Sequence, residues 1–207
     1  MKLRGLYAIT PDCADSAVLI ERVGLALDGG VAALQYRNKL AGHIQKVLEA
    51  RSLAGLCHGR NIPFIVNDDL ALALECGADG VHLGRDDGDL AVARLKLPGK
   101  LLGISCYDSL AAARSAVAAG ADYIAFGSVF HSPTKPSTAR APHSLFCAAR
   151  TLGVPLVAIG GITLDNTPQL LEAGADCVAV ISDLFDAPDI AARARAYAKL
   201  FEHDHAQ

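Results

Sequence analysis

The stretch that decides the fold is IVNDDLALALECGADGVHLGRDD, residues 65–87. Two short apolar runs, 64–66 and 80–83, indicate buried strands, and the segment 70–76 between them indicates a helix. An acidic cluster follows each run, with Asp68 after the first and Asp87 after the second. If the two strands are parallel, both clusters lie at carboxyl ends on one face of the sheet. We therefore expect Asp68 and Asp87 to converge on one hard cation such as Mg²⁺.

The same strand and helix unit repeats along the chain. The triplet Gly-Ala-Asp precedes the second apolar run at 77–79, and it recurs at 120–122 and 174–176 before further apolar runs. Continuous apolar runs that alternate with amphipathic helices favour a parallel sheet buried on both faces. The chain shows eight such units and no glycine-rich dinucleotide motif after the first strand, which favours a closed barrel over an open doubly wound sheet. We predict an α/β protein, a single (β/α)8 TIM barrel over residues 1–207, with a short disordered tail at about 203–207.

Composition restricts the classes of protein and partner. The chain has 207 residues, of which 52% are hydrophobic, and this suffices for one barrel with a large core. Its apolar runs are too short to span a bilayer, and its net charge is -3, so we predict neither a membrane nor a nucleic-acid partner. The start of the chain shows no export signal, and the six cysteines show no CxxC spacing. We expect a cytoplasmic protein, and a homo-oligomer is compatible with the sequence.

Amide and basic side chains follow the second predicted strand. Gln35, Arg37 and Lys39 occupy alternate positions, and strand geometry sends alternate side chains to one side. Arginine offers a planar fork of donors and lysine a point charge, which together suit a phosphate or diphosphate. A solvated strand end explains the same pattern about equally well.

Three later loops also have features of a phosphate site. The longest irregular segment, 128–142, holds hydroxyl side chains and Lys135 among prolines, and long loops in compact domains are usually functional or disordered. Gly160-Gly161 follows the seventh predicted strand and Ile181-Ser182 the eighth, where barrels often bind phosphate on backbone amides. Ordinary turn chemistry is the alternative for these loops. His82 lies within a strand, where we expect a buried residue, whereas Cys106 follows Ser105 and could lie near the site.

Taken in order, these motifs resemble thiamine phosphate synthase, a family of barrel enzymes. The matching segments span nearly the whole chain: 6–10, 35–39, 66–69, 80–84 with Asp87, 103–105, 134–136, 158–162 and 180–182. That family joins 4-amino-2-methyl-5-hydroxymethylpyrimidine diphosphate to a thiazole phosphate, releases pyrophosphate and uses Mg²⁺. The resemblance implies a magnesium-dependent transferase that acts on small phosphorylated substrates.

The resemblance also implies a role for each candidate residue. The implied contacts of the pyrimidine diphosphate are Gln35, Arg37, Lys39 and Asn67. The implied magnesium ligands are Asp68 and Asp87. The implied catalytic residues, which would stabilise charge on the pyrophosphate, are Arg37, Ser105 and Lys135. The implied contacts of the thiazole phosphate are Ser132, Thr134, Gly161, Ile181 and Ser182.

Three positions depart from the usual pattern of that family. Arg85 stands where glutamine is common, Asn38 where aspartate is frequent, and His131-Ser132 where the loop often reads Pro-Thr. None of these changes removes a charge that the joining reaction needs. Two alternatives stay open: a thiazole tautomerase of the same superfamily, which tends to lack parts of the diphosphate apparatus, and a non-catalytic phosphate-binding barrel.

Overall fold

The computed structural model describes residues 3–84, 87–130 and 140–202, and eight parallel strands close into a barrel within them. The strands are β1 (Gly5–Ile9), β2 (Ala33–Tyr36), β3 (Phe64–Asn67), β4 (Gly80–Leu83), β5 (Leu101–Tyr107), β6 (Tyr123–Gly127), β7 (Leu156–Ile159) and β8 (Cys177–Val180). The barrel closes where β8 pairs with β1, with Cys177 opposite Gly5 and Ala179 opposite Tyr7. The predicted (β/α)8 barrel is confirmed. The expected tail at about 203–207 lies outside the described residues, and the single domain stays a prediction.

A helix follows every strand. The helices are α1 (Ser16–Asp28), α2 (His43–His58), α3 (Leu70–Glu75), α4 (Leu90–Lys96), α5 (Leu110–Ala118), α6 (Ser144–Ala149), α7 (Thr167–Ala173), α8 (Ser182–Phe185) and α9 (Ile190–Glu202). Side-chain caps fix several helix starts, since the first amides of a helix lack partners inside it; the capping residues are Asp15, Asp69, Asp89 and Ser109. None of the helices in the described segments is long and apolar enough to cross a membrane.

Alternate residues of each strand enter two separate apolar layers. The outer layer, between the sheet and the helices, includes Leu6, Leu34, Phe64, Val81, Leu102, Ile124, Phe126 and Val178. The inner layer fills the barrel and includes Tyr7, Ile9, Ala33, Ile65, Tyr123, Val157, Cys177 and Ala179. The strands read as continuous apolar runs because both faces of the sheet are buried.

The Gly-Ala-Asp repeat holds the sheet together at the amino ends of its strands. The three glycines take positive φ values of 73°, 91° and 105°, which end the preceding helices sharply. In each copy the aspartate carboxylate accepts a hydrogen bond from an amide at the start of the preceding strand: Asp79 from Phe64, Asp122 from Leu102 and Asp176 from Leu156. The repeat is therefore structural and lies on the face of the barrel opposite the predicted site.

Glycine makes room for bulky side chains inside the barrel. A Cβ added at Gly103 of β5 would lie 2.0 Å from the ring of Tyr123, which is buried on β6. The Tyr123 ring fills that space, stacks on His82 of β4 with centroids 5.6 Å apart, and meets Tyr7 of β1 edge to face. The packing of Tyr123, His82 and Tyr7 inside the barrel thus requires a glycine at position 103.

We predict that Gly103→Ala lowers the free energy of unfolding by about 1–3 kcal/mol, because the new methyl group forces the Tyr123 ring out of its place. Denaturant unfolding measures the change. The matched control is Gly24→Ala in the middle of α1, where an added Cβ meets nothing within 4 Å. In Gly24→Ala the free energy of unfolding should rise by about 0.5–1 kcal/mol, because alanine reduces the conformational entropy of the unfolded chain. Equal effects of the two substitutions would contradict the packing argument.

Candidate active site

A cavity of about 350 Å³ opens at the carboxyl ends of β2 and β3. Four of the predicted site residues line it: Arg37, Lys39, Asn67 and Asp68. A larger depression of about 670 Å³ lies on the outer surface along α2, beside the exposed Ile44 and Leu48, and no predicted site residue lines it. Chemistry and shape coincide at the smaller cavity, which we take as the candidate active site.

Arg37 is fixed by the loop that follows β1. The Thr10 hydroxyl donates to the Arg37 carbonyl at 2.7 Å and accepts from the Arg37 amide at 2.8 Å. The Arg37 guanidinium donates through one terminal nitrogen to both carboxylate oxygens of Asp12, each at 3.1 Å. Asp12 also accepts from the Lys39 amide at 2.7 Å. Burial alone would raise the pKa of Asp12, but this amide and the two cations lower it, so the carboxylate stays ionised.

Tyr36 and Asn38, the two residues on either side of Arg37, are held by a buried carboxylate. Glu49 of α2 is only 1% exposed, and its carboxylate accepts four hydrogen bonds of 2.7–3.0 Å. The donors are Ser16, Gln45, Tyr36 and Asn38. Burial would raise the pKa of Glu49, yet these donors lower it. Because Tyr36 and Asn38 alternate with Gln35, Arg37 and Lys39, Glu49 fixes the segment that carries the site residues.

The predicted ladder differs from a simple strand pattern. β2 ends at Tyr36, so strand alternation determines the direction of Gln35 alone. Gln35 is buried in the barrel, where its amide nitrogen donates to the Tyr7 hydroxyl at 3.0 Å. Arg37 and Lys39 lie on the rim because the contacts of Asp12 hold the chain beyond the strand.

The two acidic loops meet. The backbone of Asp68 is left-handed, with φ of 62°, and its amide donates to the His82 carbonyl at 2.8 Å. The Asp68 carboxylate accepts from the Asn67 amide nitrogen at 2.6 Å, and the Asp87 carboxylate accepts from the Gly84 amide at 2.7 Å. Partial loss of hydration, together with the facing Asp87 carboxylate, raises the pKa of Asp68 to about 6.

This pair has the chemistry of a magnesium site. Two facing carboxylates repel each other unless a proton or a cation lies between them, and hard oxygen ligands suit Mg²⁺. The described part of the chain holds no group of three or more His, Cys, Asp or Glu residues arranged for a metal. Two carboxylates are nevertheless enough where the phosphates of a substrate complete the coordination. The residues present therefore fit Mg²⁺.

Ser105 of β5 faces the barrel interior and contacts His82. The Ser105 hydroxyl lies 2.8 Å from Nε2 of His82, whose Nδ1 lies 3.1 Å from the Tyr123 hydroxyl. Burial lowers the pKa of His82 to about 4, so the imidazole is neutral near neutral pH. The expectation that His82 is a buried strand residue is confirmed.

The loops after β7 and β8 offer backbone amides at the same rim. Gly160 and Gly161 have positive φ values of 103° and 65°, and a Cβ on Gly160 would lie 2.2 Å from the Ser128 hydroxyl. Ser182 opens α8 and is exposed, and Ile181 precedes it. The Asp183 carboxylate binds Arg193 at 3.0 Å, accepts from the Tyr197 hydroxyl at 2.7 Å, and accepts from the Leu164 amide of the loop after β7 at 3.3 Å.

Three expected contacts, Ser132, Thr134 and Lys135, lie outside the described residues, as does Arg85. The ends of that segment are held at the rim. Phe130 donates its amide to the Gly160 carbonyl, and Ala141 donates to the Ser128 carbonyl, each at 3.0 Å. Phe130 and Ala141, the held residues on either side of 131–139, thus both bond to loops at the carboxyl ends of β6 and β7.

Sequence reasoning misplaced one residue and missed several others. Cys106 is buried in the outer layer behind β5 and does not reach the site, because a strand sends neighbours such as Ser105 and Cys106 to opposite faces. Burial raises its pKa to about 12. The residues missed are Tyr7, Thr10 and Asp12, which contact Gln35 or Arg37 directly, and Glu49 and Tyr123, which hold the neighbours of site residues. Polar or aromatic side chains within apolar strands were the available signal for the tyrosines, whereas Glu49 carried none.

A family profile described as thiamine monophosphate synthase matches residues 6–184. Thiamine-phosphate synthase of Aromatoleum aromaticum is 55% identical over 203 residues, which cover 97% of this chain and 98% of that protein. This chain belongs to the thiamine monophosphate synthase family. Thiamine-phosphate synthase of Azoarcus sp. strain BH72, a further relative, is 56% identical over 202 residues, covering 97% of this chain and 98% of its own.

Solved structures agree with membership of the thiamine monophosphate synthase family. Thiamine phosphate pyrophosphorylase from Pyrococcus furiosus superposes with a TM-score of 0.86 at 34% identity, covering 99% of this chain and 98% of that one. A 3-hexulose-6-phosphate synthase superposes with a TM-score of 0.72 at 18% identity, over 95% of this chain and 99% of that one. The second likeness concerns the barrel fold alone.

We predict that Glu49→Gln lowers the free energy of unfolding by about 2 kcal/mol near neutral pH, because a neutral amide accepts the four donors less well. The folded pKa of Glu49 is lowered. Its contribution is therefore complete above the unfolded value of about 4.3 and is lost as the pH falls through the folded value. Wild type and variant should converge in stability on acidification, as measured by urea unfolding at several pH values.

The matched control for Glu49 is Glu75→Gln on the outside of the barrel. Glu75 forms an exposed pair with Arg51 at 3.3 Å, and such pairs contribute less than about 1 kcal/mol. A loss from Glu49→Gln that stays constant down to acidic pH would show that the charge of Glu49 does not stabilise the segment.

Proposed function

We propose that this family member condenses 4-amino-2-methyl-5-hydroxymethylpyrimidine diphosphate with a thiazole phosphate to give thiamine phosphate and pyrophosphate. The observation that carries the proposal is the cavity in which two cations, an amide and a carboxylate meet: Arg37, Lys39, Asn67 and Asp68. The cavity lies in a chain that is more than half identical to proteins named thiamine-phosphate synthase. A diphosphate with its metal is the ligand that this set of charges suits best.

The diphosphate binds between the end of β2 and the end of β3 in this proposal. Arg37 is held through one of its terminal nitrogens by Asp12, which leaves the rest of its donor fork to address phosphate oxygens. Lys39 is exposed beside it and Asn67 lies across the cavity. Gln35, deeper in the barrel, contacts the pyrimidine end of the same substrate. The pyrimidine ring thus lies in the barrel interior, and the charged diphosphate lies at the rim.

Asp68 and Asp87 are the proposed ligands of Mg²⁺. When bound, Mg²⁺ neutralises charge on the diphosphate oxygens and so favours the departure of pyrophosphate. Asp68 is placed for this by its left-handed backbone, and Asp87 by the hydrogen bond from Gly84. Asn67 orients the Asp68 carboxylate through its amide nitrogen.

The thiazole phosphate occupies the opposite side of the rim in this proposal. Gly161, Ile181 and Ser182 belong to loops that present backbone amides, and the glycines permit close approach of an anion. Ser132 and Thr134 are assigned to the same phosphate through their hydroxyl groups.

The chemistry that follows from this placement is charge stabilisation. As the bond between the pyrimidine methylene carbon and the diphosphate oxygen breaks, negative charge grows on the leaving group, where Arg37, Lys135 and Ser105 would stabilise it. The carbon left behind is electron-poor, and the thiazole nitrogen supplies the electron pair of the new bond. No side chain has to remove a proton in this step. Burial lowers the pKa of His82 to about 4, which makes its imidazole a weak base and agrees with a step that needs no proton removal.

The two alternatives differ in what they need from the rim. A thiazole tautomerase or a silent phosphate-binding barrel needs a site for one phosphate group. Neither needs, in addition, a pair of cations that faces a pair of carboxylates. The joint presence of Arg37, Lys39, Asp68 and Asp87 therefore favours the synthase. The names of the relatives point in the same direction.

The deciding experiment measures thiamine phosphate formed by the purified protein from both substrates, with Mg²⁺ and then with the metal chelated. We expect product only with the metal, and Asp87→Asn should lower kcat on the order of 100-fold. The matched control is Asp89→Asn, two residues away, since asparagine also serves as the cap that Asp89 provides for α4. A folded protein that binds thiazole phosphate without forming product would favour the alternatives.

A second prediction concerns the residue that holds Arg37. Asp12→Ala should lower kcat/KM for the pyrimidine diphosphate by about 10- to 100-fold, because a misplaced guanidinium no longer meets the phosphate. The free energy of unfolding should change by less than about 1 kcal/mol. The control is Asp28→Ala, which breaks the exposed pair of Asp28 with Arg60 at 2.8 Å. Similar kinetic losses in both variants would refute the positioning role of Asp12.

A further inference from the structure

A continuous chain of hydrogen bonds crosses the inside of the barrel from β2 to β5. It connects five side chains in this order: Gln35, Tyr7, Tyr123, His82 and Ser105. The successive distances are 3.0, 2.8, 3.1 and 2.8 Å. The three middle residues are each 7% exposed or less. This series of hydrogen bonds thus connects Gln35 and Ser105, two predicted substrate contacts, through three residues that have no role in the proposed chemistry.

With Gln35 as the donor at one end, a single direction gives every polar proton of these buried groups an acceptor. Each hydroxyl has a single proton, and a neutral imidazole has one N–H and one acceptor nitrogen. Gln35 donates to the Tyr7 oxygen, so the Tyr7 proton points to the Tyr123 oxygen. The Tyr123 proton then points to Nδ1 of His82. The imidazole proton is therefore on Nε2, which donates to the Ser105 oxygen.

Packing supports the same chain independently of the proton count. Gly103 has no side chain, and any Cβ there would overlap the Tyr123 ring. The ring is stacked on His82 at an interplanar angle of 29° and meets Tyr7 at 86°. These contacts place the Tyr123 hydroxyl between the other two groups. In such a buried place each hydrogen bond polarises the next, so one direction of the chain is strongly preferred.

We propose that this chain of hydrogen bonds, which we name the barrel relay, holds His82 as the Nε2–H tautomer and thereby leaves the Ser105 hydroxyl free to donate a hydrogen bond to the departing diphosphate. Ser105 accepts from His82, so its own proton is not consumed within the relay. The oxygen of the leaving group, which gains negative charge, is the acceptor that this proton suits. The proposal rests on the proposed function for the identity of that acceptor, while the tautomer of His82 does not depend on it.

Tyr7, Tyr123 and His82 are positioning residues in this scheme. Gln35 donates the first hydrogen bond at one end, and Ser105, at the other end, donates the hydrogen bond to the leaving group. A reversed relay would use the Ser105 proton to bond Nε2 of His82 and would leave only lone pairs facing the diphosphate. Those lone pairs would repel the leaving group. Recognition at Gln35 and stabilisation at Ser105 are thereby coupled across the barrel.

The first test reads the tautomer of His82 in the substrate-free protein by ¹⁵N NMR, with His82→Gln used to identify its signals. Wild type should show a protonated Nε2 and a bare Nδ1. Gln35→Glu places an ionised acceptor at the end of the relay at alkaline pH, so it should move the proton to Nδ1. Tyr123→Phe keeps the ring but removes the central hydroxyl, and it should give a mixture of tautomers.

The second test is kinetic and uses Tyr123→Phe beside a matched variant. We expect kcat to fall about tenfold with KM for both substrates unchanged within about threefold, because an indirect contact to the leaving group is weakened. Tyr197→Phe removes another buried hydroxyl, the one bound to Asp183 on the outside of the barrel. It should keep the wild-type kcat.

The outcomes separate the relay from the proposed function. An Nδ1–H tautomer or an imidazolium in wild type overturns the relay, as does an Nε2–H tautomer retained in both Gln35→Glu and Tyr123→Phe. If wild type makes product and Tyr123→Phe matches its kcat, the link to the leaving group is wrong. If wild type makes no product, the proposed function fails instead, and the tautomers alone decide whether the relay has its direction.

Discussion

Closure of the sheet between β8 and β1 is the constraint on which the rest of this structure depends. The pairing of Cys177 with Gly5 and of Ala179 with Tyr7 turns an open sheet into a barrel. Closure alone brings Tyr7 of the first strand within 2.8 Å of Tyr123 of the sixth, 116 residues later. It also directs every strand end to one rim, where loops far apart in sequence share a small volume.

Each strand serves two purposes because its two faces enter different environments. The inward face of β2 carries Gln35 to the interior, whereas the outward Tyr36 is bound by Glu49. Anchoring from behind matters for a site that binds highly charged substrates, because a misplaced cation loses most of its effect within a few ångströms. The contact of Tyr36 with Glu49 on the outward face of β2 thus helps to keep Gln35 in place on the inward face.

Charge is distributed unevenly around the rim. The net charge of -3 gives no general attraction for anions, and local positive charge is supplied at one strand end by Arg37 and Lys39. The acidic pair Asp68 and Asp87 lies beside them, and the pKa of Asp68 is raised to about 6 by burial and, beyond that, by the facing Asp87 carboxylate. A divalent cation bound to a diphosphate would balance the charge of the acidic pair and of the basic pair together. The cation alone would balance only the carboxylates, and the diphosphate alone only the cations.

The sequence by itself determined the barrel and the regions that meet at its rim. Continuous apolar strands, glycine turns and polar residues directly after strands are local signals, and they located Arg37, Asn67, Asp68 and Asp87 correctly at strand ends. The repeat of Gly-Ala-Asp was likewise local, because a helix end needs a residue that tolerates positive φ. These features depend on neighbours along the chain, which a sequence displays.

Only the tertiary structure decided which side chains bond across the barrel. The contact of Tyr7 with Tyr123, the grip of Asp12 on Arg37 and the burial of Glu49 depend on distances between segments that the sequence does not place. Cys106 is a different case, because strand alternation, a local rule, already sends it to the layer opposite Ser105. Local preference fixes backbone geometry, whereas partners are chosen by packing and by the need of buried polar groups for hydrogen bonds.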